Sequence, residues 1–173
     1  MRSPTSFIVT PLNDERYSST SNSGLVLSVS QDEYTTTNRM AKIVALPLNY
    51  NGGAVVGDIL LVHHNTFRKY YAMNGKEKSG PSYFKDNLYF IFYDQYFMYQ
   101  HDGKWYAPSP FVFVKPTDTP LVGIIKYTNN DSGVAVGDRV AFEPESEYEF
   151  NIDGEKLYRM FNRNLTLNLK NTI

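Results

Sequence analysis

Gly53-Ala54-Val55-Val56-Gly57-Asp58-Ile59-Leu60-Leu61-Val62 comes back eighty residues later as Gly133-Val134-Ala135-Val136-Gly137-Asp138-Arg139-Val140-Ala141-Phe142. In each copy a Gly-Asp pair interrupts what would otherwise be one apolar run. Such an interruption predicts a tight bend with a strand after it, the Asp side chain bonding to nearby backbone. A decapeptide of this kind used twice marks an internal repeat, and the repeat decides how the rest of the chain is read.

Working outward, the same order of elements precedes and follows both copies. Phe7-Ile8-Val9-Thr10-Pro11 reads as a strand closed by proline, and Phe113-Val114-Lys115-Pro116 answers Ile8 to Pro11. Ala41 to Leu46 is a second strand, answered by Val122 to Tyr127. Beyond the Gly-Asp bend, Tyr148 to Gly154 corresponds to Tyr70 to Gly75, and Leu157 to Phe161 to Leu88 to Phe92. Phe67 to Met73 is a strand candidate, Asn74-Gly75 is a hairpin signal, and Tyr96 to Tyr99 closes the first half. The division predicts one domain over 1–99 and another over 100–173.

Composition agrees with an all-β chain. Of 173 residues 15% are aromatic, including 14 Tyr and 11 Phe, while nine Pro and eleven Gly punctuate short runs, and no long helix-period pattern occurs. A formal net charge of -1, with Lys and Arg scattered, gives no footprint for nucleic acid. No apolar run approaches the roughly eighteen residues that span a bilayer, and Met1-Arg2-Ser3-Pro4 leads into a strand with no apolar signal core. We expect a cytoplasmic protein with no membrane partner. With no cysteine, disulfides, thiolate metal sites and cysteine nucleophiles are excluded.

The two halves differ most between the first and second strands. There, 29 residues separate Pro11 from Ala41, whereas five separate Pro116 from Val122. The extra length is the polar stretch Ser18 to Arg39, which reads as a mobile loop and sets Gly24-Leu25-Val26-Leu27 among Ser, Thr, Asn, Asp and Gln. Adjacent aliphatics in such a setting either fold back as a strand or await a partner. A second insertion, Lys76 to Asp86, has no counterpart after Gly154.

Taken in order, a strand ending in Pro, a polar loop holding Gly-Leu-Val-Leu, an Ile43-Val44-Ala45 strand and paired Val-Gly-Asp turns (Val56 to Asp58, Val136 to Asp138) resemble the GroES-like co-chaperonins. The resemblance covers both halves and is similar to the tandem, double-domain form. It implies two small β-barrels, the first with a long mobile loop over 18–39. It further implies a ring, heptameric in the family, capping a GroEL-like chaperonin while a substrate protein folds inside. Gly24, Leu25, Val26 and Leu27 would then be the chaperonin-binding anchor. One loop per chain, where a double form carries two, departs from the pattern. The short Ala45 to Val55 connection leaves little room for the family's roof hairpin, so a dome would be open at its apex.

Energetics constrain this picture. Burying three aliphatic side chains is worth roughly 1.5–3 kcal/mol each, while fixing each loop residue's backbone costs about 1–2 kcal/mol. A single loop that orders on binding is weak, so useful affinity needs several loops held on one assembly. The Asn164 to Leu169 alternation offers an edge that pairs either across subunits or within one barrel.

No catalytic site and no cofactor are expected. His63-His64, read as strand neighbours, would point to opposite faces and not chelate one metal ion. His101-Asp102 has no nucleophile at a telling spacing, and Trp105 is expected to pack beneath the next strand. Glu143 to Glu147 reads as a solvated acidic loop, and no phosphate-binding glycine loop occurs. Lack of cysteine and of a nucleotide-binding region argues against the zinc dehydrogenases that share a GroES-like domain. The alternative to a co-chaperonin is a structural or adaptor β protein of a larger, for example viral, assembly.

Overall fold

The computed structural model describes residues 1–16, 38–71, 73–92 and 95–169. The chain is all-β, with no α-helix among the described residues. Its strands are β1 (Phe7–Pro11), β2 (Met40–Ala45), β3 (Ile59–Val62), β4 (Lys69–Tyr71), β5 (Glu77–Ser79), β6 (Tyr83–Lys85), β7 (Leu88–Ile91), β8 (Tyr96–His101) and β9 (Lys104–Tyr106). Then follow β10 (Phe111–Pro116), β11 (Val122–Tyr127), β12 (Arg139–Phe142), β13 (Tyr148–Ile152), β14 (Glu155–Phe161) and β15 (Leu165–Asn168). One antiparallel sheet has the order β6-β7-β1-β2-β3-β8-β9, a second β13-β14-β10-β11-β12-β15, and β4-β5 form a separate hairpin. Both large ladders run open from first strand to last, so neither closes on itself as the implied barrels would. The chain divides into two compact units, Met1–Gly103 and Lys104–Ile173.

Within each unit the sheet repeats the same arrangement. The order β7-β1-β2-β3-β8 is matched by β14-β10-β11-β12-β15, with equal registers. Val9 faces Ile43 and Pro11 faces Ala41; Val114 faces Ile125 and Pro116 faces Gly123. The irregularity falls at the equivalent step in both, between Ile8 and Val9 and between Phe113 and Val114. A second pair of bulges, between Leu61 and Val62 and between Ala141 and Phe142, also coincides. Bulges set local twist and re-aim side chains, so shared bulges mean shared curvature.

The register corrects the sequence alignment at two points. Val122 pairs where Met40 pairs, and Gly123 where Ala41 pairs, so β11 lies one residue away from the alignment of Val122 to Tyr127 on Ala41 to Leu46. A one-residue slip exchanges the two faces of a strand. Ile43 therefore corresponds to Ile125, both 1% exposed, and not to Ile124, which is 38% exposed. The other correction concerns Tyr70 to Gly75. β4 pairs only with β5, and the neighbour of β7 is β6, supplied by the 76–86 insertion. The strand role that Tyr148 to Ile152 plays beside β14 thus falls to Tyr83–Lys85 in the first unit. Asn74-Gly75 does turn a hairpin, with Gly75 at φ 78°.

Alternation on these strands buries one face. Phe7, Val9, Ile43, Leu60, Val62 and Ile91 form the first core. Val112, Val114, Ile125, Val140, Phe142 and Met160, at the corresponding registers, form the second. β15 pairs with β12 of its own unit at the positions that β8 occupies against β3, which settles where the terminal alternation pairs.

Candidate functional site: the base of segment 17–37

Gly24, Leu25, Val26 and Leu27, with most of loop 18–39, lie outside the described residues. What the structure places is the base from which that segment leaves β1 and returns to β2. Past Pro11 the chain makes a 3-10 turn, Leu12–Asp14, in which Asn13 and Asp14 have φ near 60°. Asn and Asp tolerate this left-handed region better than most residues, which explains their place at a sharp exit.

Two polar side chains hold the base shut. The Asn38 N–H donates to the Arg16 carbonyl at 3.0 Å. The Asn38 side-chain amide donates to the carbonyls of Leu12 (3.1 Å) and Glu15 (2.8 Å), and its Oδ1 accepts from the Met40 N–H at 2.9 Å. Arg16 donates through Nε to the Phe67 carbonyl (2.7 Å), through Nη2 to the Arg68 carbonyl (3.1 Å) and through Nη1 to the Ser79 hydroxyl (3.2 Å). Its guanidinium also lies 5.5 Å from the Tyr89 ring centre. Residues 17–37 therefore start and finish at neighbouring, fixed points. In the second unit a tight turn fills this place, with the Thr117 hydroxyl donating to the Val122 carbonyl at 2.7 Å. Sequence reading located the insertion but missed Arg16 and Asn38, whose partners are mostly backbone carbonyls and leave no residue pattern.

His63 and His64 sit beside this base. They follow β3 in a turn, and their rings stack with centres 4.1 Å apart, which corrects the expectation that they point to opposite faces. Burial and the neighbouring His63, Arg39 and Arg68 push the His64 imidazole down to about 4. Asn65 N–H donates to His63 Nδ1 at 3.1 Å.

The Val-Gly-Asp bends behave as their residues imply. Asp58 Oδ2 accepts from the Val55 N–H and Asp138 Oδ2 from the Ala135 N–H, both at 2.9 Å. Gly57 at φ 95° and Gly137 at φ 91° supply the positive dihedral that L side chains avoid. In each unit a side chain of the closing strand region reaches the same carboxylate. In the first, His101 Nδ1 lies 2.8 Å from Asp58 Oδ1; in the second, Asn168 Nδ2 donates to Asp138 Oδ2 at 3.0 Å. Hydrogen bonding to Asp58 raises the His101 pKa above its ordinary value. Sequence reading set His101 beside Asp102, and His101 Nε2 does lie 3.3 Å from Asp102 Oδ2; the second carboxylate, Asp58 at 2.8 Å from Nδ1, is a contact visible only once β3 and β8 are paired.

Among the described residues no group of three His, Asp or Glu is placed to hold a metal ion. Trp105 is 7% exposed and its Nε1–H donates to Asp153 Oδ2 at 3.3 Å, while Glu143, Glu145 and Glu147 are exposed. A cleft of about 350 Å³ in the first unit is lined by Ser3, Thr5, Ser6, Pro81, Ser82, Phe90, Phe92 and Gln95. None of the described residues that line it is titratable for acid–base work. No helix among the described residues is long and apolar enough to cross a membrane.

No protein-family model matches the chain, and no curated protein matches it.

Proposed function

We propose that this chain is a non-enzymatic co-chaperonin of the GroES-like kind, built from two tandem units and docking on a GroEL-like chaperonin through Leu25, Val26 and Leu27. The observation that carries the reading is the asymmetry between otherwise matching sheets. At one place in the repeat, the second unit has a short turn and the first has a 21-residue excursion, 17–37, entered and left through a base held by Arg16 and Asn38. A segment tethered this way carries its apolar tetrapeptide without disturbing the core registers, as a docking loop requires. Because one such loop binds weakly, the proposal includes self-association into a ring that presents several loops together, heptameric by resemblance. The cytoplasm is the compartment in which we place it.

The lack of a counterpart loop in the second unit favours one competing reading, a structural or adaptor β protein of a larger assembly. The two are separated by native mass measurement of the full chain with and without a purified GroEL-type chaperonin ring and ATP. A ring that joins the chaperonin, and loses it on Leu25→Asp with Val26→Asp, supports the co-chaperonin. A monomer that ignores the chaperonin, or a complex indifferent to both substitutions, overturns it.

A further inference from the structure

The first unit has a cleft where the second has side chains, and the repeat shows which residues make the difference. β1 pairs with β7 as β10 pairs with β14: Ile8 faces Phe90 where Phe113 faces Arg159, and Phe7 faces Ile91 where Val112 faces Met160. One step along, Ser6 stands where Phe111 stands, and Phe92 stands where Phe161 stands. On the next strand the Ser82 carbonyl accepts from the Phe90 N–H at 2.8 Å, which puts Ser82 in the place from which Tyr148 faces Arg159.

In the second unit large side chains fill these positions. The Arg159 guanidinium lies 5.5 Å from the Phe111 ring centre, 5.2 Å from that of Phe161 and 5.0 Å from that of Tyr148, and Phe111 is buried. In the first unit Ser6 and Ser82 replace two of those rings on equivalent backbone, and the space they vacate is the cleft of about 350 Å³. That volume is at the lower end of the range small-molecule sites occupy, about 300–1,000 Å³. Phe90 and Phe92, two residues apart, offer aromatic surface on one face of it. Around them stand neutral polar groups. Ser6 is 3% exposed, its N–H donates to the Ser3 hydroxyl at 3.2 Å, and no hydrogen bond among the described residues engages its own hydroxyl. A buried hydroxyl without a partner is costly, so this one calls for a bond from whatever enters. Gln95 Oε1 accepts from the Phe92 N–H at 2.9 Å, which leaves the amide nitrogen of Gln95 to donate. None of the described lining residues carries a charge to answer a phosphate or carboxylate.

We propose that this cleft binds a neutral sugar, one pyranose ring lying by its C–H face on Phe90 and Phe92 with its hydroxyls bonded to Ser6, Ser82 and Gln95. A ring-sized guest restores the volume that Phe111 and Tyr148 occupy in the second unit. Aromatic surface takes the apolar face of such a ring, and hydroxyls, each both donor and acceptor, match serine hydroxyls in kind. A nucleobase has the same footprint but no rim of hydroxyls for the two serines. The site is separate from Leu25, Val26 and Leu27 and does not rest on the co-chaperonin reading.

The test is an NMR titration of the full chain with methyl β-D-glucopyranoside, methyl β-D-galactopyranoside and methyl α-D-mannopyranoside, each up to about 100 mM, two decades above a millimolar constant. At least one should give saturable shifts at the amides of Ser6, Ser82 and Phe92. Ser82→Tyr, which refills the space as Tyr148 does, should abolish them. Phe92→Ala, at a residue already 49% exposed, should weaken binding about tenfold, and Ser6→Ala about fivefold. Thr166→Ala, on an exposed residue of the second unit, should change nothing. A disaccharide of the sugar that binds separates two sources: equal affinity marks a free sugar and tighter binding the end of a glycan chain, and either supports the proposal. No saturable shift with any glycoside, shifts that survive Ser82→Tyr in a variant with the wild-type thermal midpoint, or binding of adenosine or uridine in preference to every glycoside overturns it.

Discussion

Ile124 and Ile125 are neighbours of identical composition, and the register of β11 assigns them opposite fates. Ile125 is 1% exposed and packs with Val114, Val140 and Met160, whereas Ile124 is 38% exposed. Truncating a fully buried isoleucine removes its transfer free energy and leaves a cavity, together about 2–5 kcal/mol. Truncating a partly exposed one on the outer face costs under about 1 kcal/mol, because most of its surface already meets water. Trp105, the single tryptophan, lies on β9 at the end of the first sheet's strand order, so the second sheet is followed instead through the NMR amide signals of β10, β11 and β14 in a urea series. With a urea slope of about 1 kcal/mol per molar for a unit this small, Ile125→Ala should lower the midpoint by about 2 M or more, or leave the unit unfolded in buffer. Ile124→Ala should move it by less than about 1 M. Equal shifts, or a larger one for Ile124→Ala, would mean that β11 is registered one residue away and that the correspondence of Ile125 with Ile43 is wrong.

Other expectations follow from single contacts. A Cβ on Gly123 would lie 2.9 Å from the Lys115 carbonyl and 3.1 Å from Val114 Cβ. Gly123→Val should therefore cost about 1–3 kcal/mol by overpacking, read from the same amide signals of the second sheet. His101 has its pKa raised by Asp58, so its contribution to stability is complete below the unfolded value of 6.5 and fades as pH rises through the folded value. His101→Asn, copying the amide that serves Asp138, should abolish that alkaline loss in a pH series of thermal midpoints; an unchanged pH profile would count against the pairing. His64 titrates in the opposite sense. With a folded pKa pushed down to about 4, its contribution is present above 6.5 and is lost as pH falls towards 4. His64→Gln should flatten the acid limb of denaturation between those values, and an unaltered limb would show that His64 protonates freely in the fold.

Much of this architecture was legible from residue order. Val-Gly-Asp marks its own bend, since glycine alone relieves the positive φ and aspartate caps the backbone two or three residues away. Pro11 and Pro116 mark equivalent strand ends, and the short aromatic and β-branched runs mark an all-β chain. All of these are local effects, carried by one residue and its near neighbours. The alignment failed where locality fails. Ala41 to Leu46 and Val122 to Tyr127 are both apolar enough to fit in either register, and only pairing with Pro11 and Pro116 and the shared bulges distinguishes Ile125 from Ile124. Tyr70 to Gly75 looks like a sheet strand, yet the 76–86 insertion supplies a competing strand that takes the place beside β7.

By itself, then, the sequence determined the repeat, the strand-rich class and the location of the extra segment 17–37, because turn dihedrals and alternating burial are written in consecutive residues. Tertiary structure decided the registers, the pairing of β15 with β12, the partnership of His101 with Asp58, and the base held by Arg16 and Asn38. Those depend on backbone carbonyls and on residues tens of positions apart, and a carbonyl is the same group whichever residue carries it.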